Sequence, residues 1–230
     1  MPADRYVSPT GPSRHEVEIK RSRFIACILP VVDDAQARDQ LSELRREFHD
    51  ARHCCSAYLL GAGRDSAHSS DDGEPAGTAG VPIMQALSHH VTTTGQADLS
   101  NVLAAVVRYF GGIKLGAGGL ARAYGGVVSQ ALQLAPMLLH ERRSLLDAHL
   151  PPSDAGRFEA VLRTSGLDVL ETNWDDPSSP AVRIACPAGT VEETVRRIAS
   201  LTSGAARTEP AGQRWVSRPL PVPSSAPGTV

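Results

Sequence analysis

Between Arg108 and Tyr124 the chain reads Arg-Tyr-Phe-Gly-Gly-Ile-Lys-Leu-Gly-Ala-Gly-Gly-Leu-Ala-Arg-Ala-Tyr. Glycine loses the most backbone entropy on ordering, so glycines this dense imply positive φ angles or a close approach by something else. Gly116, Gly118 and Gly119 stand where a helix opens, and Lys114 and Arg122 flank them. Such a turn aims unbonded amides and the positive end of a helix dipole outward, which is anion-binding chemistry. Arg108 joins these residues as a candidate phosphate contact. Two nucleotide signatures fail here. Lys114 is not followed by Ser or Thr, so there is no P-loop, and Gly116-x-Gly118-x-x-Ala121 does not leave its strand directly as a dinucleotide turn does.

A second stretch with chemical potential is Ser70-Asp-Asp-Gly-Glu-Pro-Ala-Gly-Thr-Ala-Gly-Val-Pro82. Asp71, Asp72, Glu74 and Thr78 supply oxygen ligands of the kind that hold divalent cations, but the alternating spacing of a calcium loop is absent. The same carboxylates can instead cap amides or pair with Arg108 or Lys114. His53 and Arg23 are accessory candidates. A thiol nucleophile built on His53 with Cys54 fails because strand neighbours face opposite ways, and His53 with Cys55 lacks a third, orienting group. No resident metal or cofactor is called for, and no catalytic residue is nominated.

The elements that must carry these groups follow from periodicity. Val102 to Val107 is a short β-branched run, read as a buried strand, and Leu120, Tyr124, Val127, Val128, Ala131 and Leu134 give helical spacing to about Ala135. Residues 16–20 and 23–29 read as a hairpin turning near Arg21-Ser22. Asp33 or Asp34 caps a helix to about His49, residues 54–60 form a strand, and Pro82 opens a short helix to His89. Gly125-Gly126 inside the long helix implies a closely crossing neighbour. From Glu141 the pattern changes to strand, helix, strand, strand, helix, strand, with Thr190-Val-Glu-Glu193 as a capping box. This gives an α+β chain of two domains: a flexible arm at 1–14, a first domain at 15–140, a ferredoxin-like second domain at 141–217, and a disordered Pro-rich tail at 218–230.

The 230 residues carry a net charge of −2 that divides evenly between the halves. Binding to nucleic acid through bulk charge is therefore excluded, and any such contact needs local clusters such as Lys20-Arg21-Arg23 or Arg108, Lys114 and Arg122. No run is long and apolar enough for a membrane helix. Four cysteines without a C-x-x-C pair point to a reducing cytoplasm.

Taken together, Arg23-Phe-Ile-Ala, His53-Cys-Cys-Ser-Ala-Tyr58, the 71–82 loop and the 108–124 stretch resemble the YigZ/IMPACT family. Ala76 and Ala121 depart from its usual Ser and Val. The resemblance implies a first domain like ribosomal protein S-five domain two and the fourth domain of elongation factor G. It implies a second domain like that factor's ferredoxin-like fifth domain. Eukaryotic relatives restrain a translation-control kinase, so the resemblance implies a non-enzymatic, translation-associated regulator. Its partner would be RNA, the ribosome or a translation-control protein. Two alternatives stand beside it. One is a phosphate-handling enzyme, with Mg²⁺ on the acidic loop and Lys114 at the phosphoryl group. The other is a protein-interaction adaptor using residues 70–82.

Overall fold

A computed structural model describes residues 3–221. It is a mixed α/β structure with two antiparallel sheets and, among the described residues, five α-helices. Among the described residues the chain divides into two compact units, 3–140 with 217–221 and 141–216.

In the first unit β2 (Ser13–Ile19), β3 (Ser22–Pro30), β4 (His53–Leu60), β5 (Ser66–Ser70) and β6 (Val102–Tyr109) form one sheet in the order β2-β3-β6-β4-β5. Central β6 is apolar from Val102 to Val107 because both its faces are covered. Val102, Ala104 and Val106 enter one core, with helices α2 (Gly80–His89) and α3 (Ala117–Leu134). Leu103, Ala105 and Val107 enter the other, beneath α1 (Asp34–Glu47). The Asp33 carboxylate accepts the Gln36 amide at 2.8 Å and starts α1 as its sequence requires.

The hairpin turns one residue earlier than expected. Ile19 pairs with Ser22, leaving Lys20 and Arg21 as a two-residue turn with φ of 48° and 64°. Two positive φ values are what a type I′ hairpin demands, here without its usual glycine. Residues 5–9, expected within a flexible arm, are instead strand β1 (Arg5–Pro9), with Val7 and Ser8 buried. Strand β5 was not expected either.

The second unit takes its strands from β7 (Met137–His149), β8 (Asp168–Asn173), β9 (Ala181–Pro187) and β10 (Arg207–Pro219), with helices α4 (Ala155–Thr164) and α5 (Val191–Leu201). The chain order is β7-α4-β8-β9-α5-β10, and β9 pairs antiparallel with both β7 and β8. Strand β7 begins earlier than the sequence pattern implied, and its first residues, through His140, belong to the first unit. The capping box does not form: the Thr190 hydroxyl donates to the Pro187 carbonyl at 3.0 Å instead. The Pro-rich tail starts later than expected, since Arg218 and Pro219 extend β10 and the Leu220 amide bonds to the Met137 carbonyl at 2.9 Å. Residues 222–230 of that tail lie outside the described residues.

Candidate nucleic-acid interface

The two unusual stretches have opposite characters. The acidic loop is bonded inward. Asp71 accepts three amides, from Gly77 at 2.7 Å, Ala79 at 2.9 Å and Gly80 at 2.8 Å, and so caps α2, whose own cap residue Ala79 has no side chain for the task. Burial disfavours its charge, but the three amides outweigh that and leave its pKa below the ordinary carboxylate value. Asp72 accepts the Cys54 amide at 2.7 Å and pairs with Arg45 at 2.9 Å, while its carbonyl meets His53 Nδ1 at 2.9 Å. Glu74 accepts from Arg108 at 2.6 Å and from Tyr124 at 2.7 Å. The side chains of Arg108 and Glu74 are 7% and 4% exposed. Thr78 is buried and donates to the Pro75 carbonyl at 2.6 Å.

Each carboxylate of the loop is thus occupied within the protein, and none pairs with Lys114 or Arg122. A divalent cation there would have to break a helix cap, a strand contact or a buried ion pair. Arg108, expected among the anion contacts, is withdrawn for the same reason, since its charge is neutralised by Glu74. Arg23 is paired with Glu16 at 2.8 Å and lies over the Tyr109 ring. Burial, the largest influence on both thiols, pushes Cys54 up to about 11 and Cys55 up to about 12, which keeps them protonated and poorly nucleophilic. Tyr124 is likewise raised, by burial first and then by Cys55 and Glu74. The sequence reading missed Tyr124 as a polar partner because its position fits the inner stripe of α3.

The glycine-rich turn instead leaves its helix-opening amides and its cations unbonded. Gly111 must be glycine: a Cβ there would lie 2.0 Å from the Arg21 backbone. That close approach, with the Gly111 amide on Ser22 Oγ at 3.1 Å, holds the turn against the β2–β3 hairpin. Gly116 caps α3 with φ of 74° and no side-chain bond. Lys114, Gly116, Gly118 and Arg122 are exposed and Gly119 is half-buried. Among the described residues, Lys114 and Arg122 have no ion-pair partner, and the Ala117, Gly118 and Gly119 amides have no acceptor.

Lys20 completes the group. It and Ile19 line a hollow of about 290 Å³ with Leu115, Gly119, Arg122 and Ala123. Arg122 also borders a second hollow with Pro82, Gln85, Ala121 and Gly125. That hollow shares Gln85, Ala86 and Ser129 with a third, which reaches His89, His90 and Gln133. No carboxylate lines any of the three. The result is a furrow along α2 and α3 with unpaired cations at one end.

Residues 20–132 match the Impact N-terminal domain, a stretch that takes in Lys20, the acidic loop, β6 and nearly all of α3. The IMPACT family member YigZ of Escherichia coli is 35% identical over 204 residues, spanning 87% of this chain and 95% of that relative. The chain belongs to the IMPACT family. A second member, YvyE of Bacillus subtilis, is 34% identical over 171 residues, spanning 74% of this chain and 76% of its own. A crystal structure described as that of a hypothetical protein superposes with a TM-score of 0.55 at 30% identity, covering 89% of this chain and 96% of the other. Among the described residues no helix is long and apolar enough to cross a membrane.

Proposed function

We propose that this IMPACT-family chain is a non-enzymatic, translation-associated protein that binds RNA, alone or within the ribosome, through the α2–α3 layer. The observation that carries the reading is the turn's unbonded amides and cations. Lys20, Lys114 and Arg122 are unpaired around three free helix amides, on a layer whose two helices contain no Asp or Glu. In a chain of net charge −2, this local asymmetry supplies what bulk charge does not. The raised thiols of Cys54 and Cys55 and the occupation of all three loop carboxylates favour binding over catalysis at this site.

The test is fluorescence anisotropy of a labelled ten-nucleotide oligouridine at several salt concentrations. Three phosphate contacts on a single strand give a slope of log affinity against log salt of about −2. Lys114→Ala and Arg122→Ala should each make the slope shallower by about 0.7. No binding at low salt, or binding indifferent to both substitutions together, overturns the reading. Co-sedimentation with ribosomes, lost in the double variant, connects it to translation.

A further inference from the structure

Phe110 is a large aromatic residue left 52% exposed, although burying a phenylalanine side chain is worth roughly 1.5–3 kcal/mol. It is exposed but not loose. Strand periodicity puts Phe110 on the same side as Arg108, two residues earlier, and the sheet register sets Phe24 directly across from Arg108. The guanidinium carbon accordingly lies 5.4 Å from the Phe24 ring centre and 5.5 Å from that of Phe110. Both distances are within reach of a cation–π contact. Arg108 is itself fixed by Glu74, and Phe24 is fully buried with Tyr124 edge-on at 5.3 Å. The Arg108 Nε has no hydrogen-bond partner among the described residues.

Core, cation and exposed ring therefore form one continuous stack that ends at the protein surface. The next exposed groups along the chain are Ile113 and then Lys114. An exposed aromatic face four residues before the unpaired Lys114 matches a nucleobase with its phosphate, because every base has a π face and stacking needs no particular sequence. A duplex keeps its base faces inside and cannot use such a ring.

Resting on the RNA-binding reading above, we propose that Phe110 is a stacking platform for one unpaired base and that the ligand is single-stranded RNA. Lys114 and Arg122 take the phosphates beside that base.

The experiment measures the oligouridine decamer, an abasic decamer with the same phosphates, and a blunt twelve-base-pair RNA duplex against wild type, Phe110→Ala and Phe110→Trp. Thermal melting confirms that each variant is folded. Phe110→Ala should weaken the decamer roughly 5- to 150-fold while leaving the salt slope unchanged, because no charge is lost. The abasic decamer should bind wild type as weakly as the intact one binds Phe110→Ala. Phe110→Trp should retain affinity and show quenching on binding, above the background of Trp174 and Trp215. Wild-type affinity in Phe110→Ala, or duplex bound as tightly as single strand, overturns the proposal. If wild type binds with the expected slope yet ignores Phe110→Ala, only the platform falls. If it binds no RNA, both readings fall.

Discussion

The two faces of the first sheet are covered in contrasting ways. On one side α1 carries Asp34, Arg38, Asp39, Glu43, Arg45, Arg46 and Glu47, a mixture of both signs of which four are paired. Arg38 meets Asp34 at 2.6 Å, Arg45 meets Asp72, and Glu47 meets Arg14 at 2.5 Å. On the other side α2 and α3 have no Asp or Glu, and Arg122 is their one Lys or Arg. Their outer surface is mostly glycine, alanine, serine and glutamine, with Val81, His89, Arg122 and Leu134 exposed among them. Four of those seven charges are paired, and the other three, Asp39, Glu43 and Arg46, are of mixed sign, so this face offers a partner no concentrated charge of one sign. On the second face the few cations are unanswered. The count of charged residues is therefore a poor guide to binding, and the net sign of the unpaired ones a better one.

The sharpest way to break the contrast is at Glu74, the carboxylate that reaches the α2–α3 side. Glu74→Ala leaves Arg108 buried without a counter-charge and Tyr124 without an acceptor. Removing one partner of a buried pair costs about 3–5 kcal/mol. Urea unfolding should show a loss of that size. Arg45→Ala, which breaks a half-exposed pair on the α1 side, should cost no more than about 1 kcal/mol. Equal losses at the two sites would mean that the buried pair is no more important than the exposed one.

Next in size is Asp71. Replacing it by Ala frees three amides at the start of α2 and should cost about 1–2 kcal/mol. Its pKa is depressed in the folded protein, because the amides outweigh the burial that opposes its charge. Its contribution is therefore complete above the ordinary aspartate value of about 3.9 and is lost as pH falls below that and through the folded value. Asp71→Asn keeps an acceptor but does not titrate, so its stability should lack this component of the acid fall-off. Parallel curves for wild type and Asp71→Asn in that range would remove Asp71 from the account.

How much of this could be read beforehand depended on which force shaped each part. Strands β3, β4 and β6 and helices α1 and α3 announce themselves because burial imposes a period on their apolar residues. Strand β5, Ser-Ala-His-Ser-Ser, sits at a sheet edge with nearly every side chain exposed, so no pattern marks it. Strand β1 is similarly obscured by its neighbouring prolines and its brevity. Within the site, Lys114 and Arg122 were legible because a glycine turn opening a helix is a local feature. The fate of Arg108 was not, since it is decided by Glu74, which lies 34 residues away and meets it only in the folded sheet. Phe110 had a faint signal in its two-residue spacing from Arg108, but spacing does not say whether a ring at the end of a strand is covered.

The contrast between the faces can also be sharpened by adding one charge to each. Gln85→Glu places a carboxylate in the furrow, and Ser42→Glu places one on the exposed side of α1. A single like charge near a phosphate is worth about 1 kcal/mol in water, or about fivefold in affinity. Oligouridine binding should weaken by that factor in Gln85→Glu and stay unchanged in Ser42→Glu. An equal effect from both would show that the chain responds only to its overall charge.

The smallest expected effect concerns the glycine pair inside α3. At Gly125 an added Cβ would lie 3.4 Å from the Pro82 carbonyl oxygen of α2, at the edge of ordinary contact, whereas at Gly126 it would meet nothing within 4 Å. The crossing helix thus accounts for Gly125 alone. Alanine at a helix interior is better than glycine by about 0.8–1 kcal/mol. Gly126→Ala should therefore raise stability by nearly that amount, while Gly125→Ala should gain less because the new methyl group abuts the α2 backbone. Thermal unfolding orders the two. If Gly125→Ala proves the more stabilising, the helices are free to move apart at Pro82, and the furrow between them is not a fixed shape.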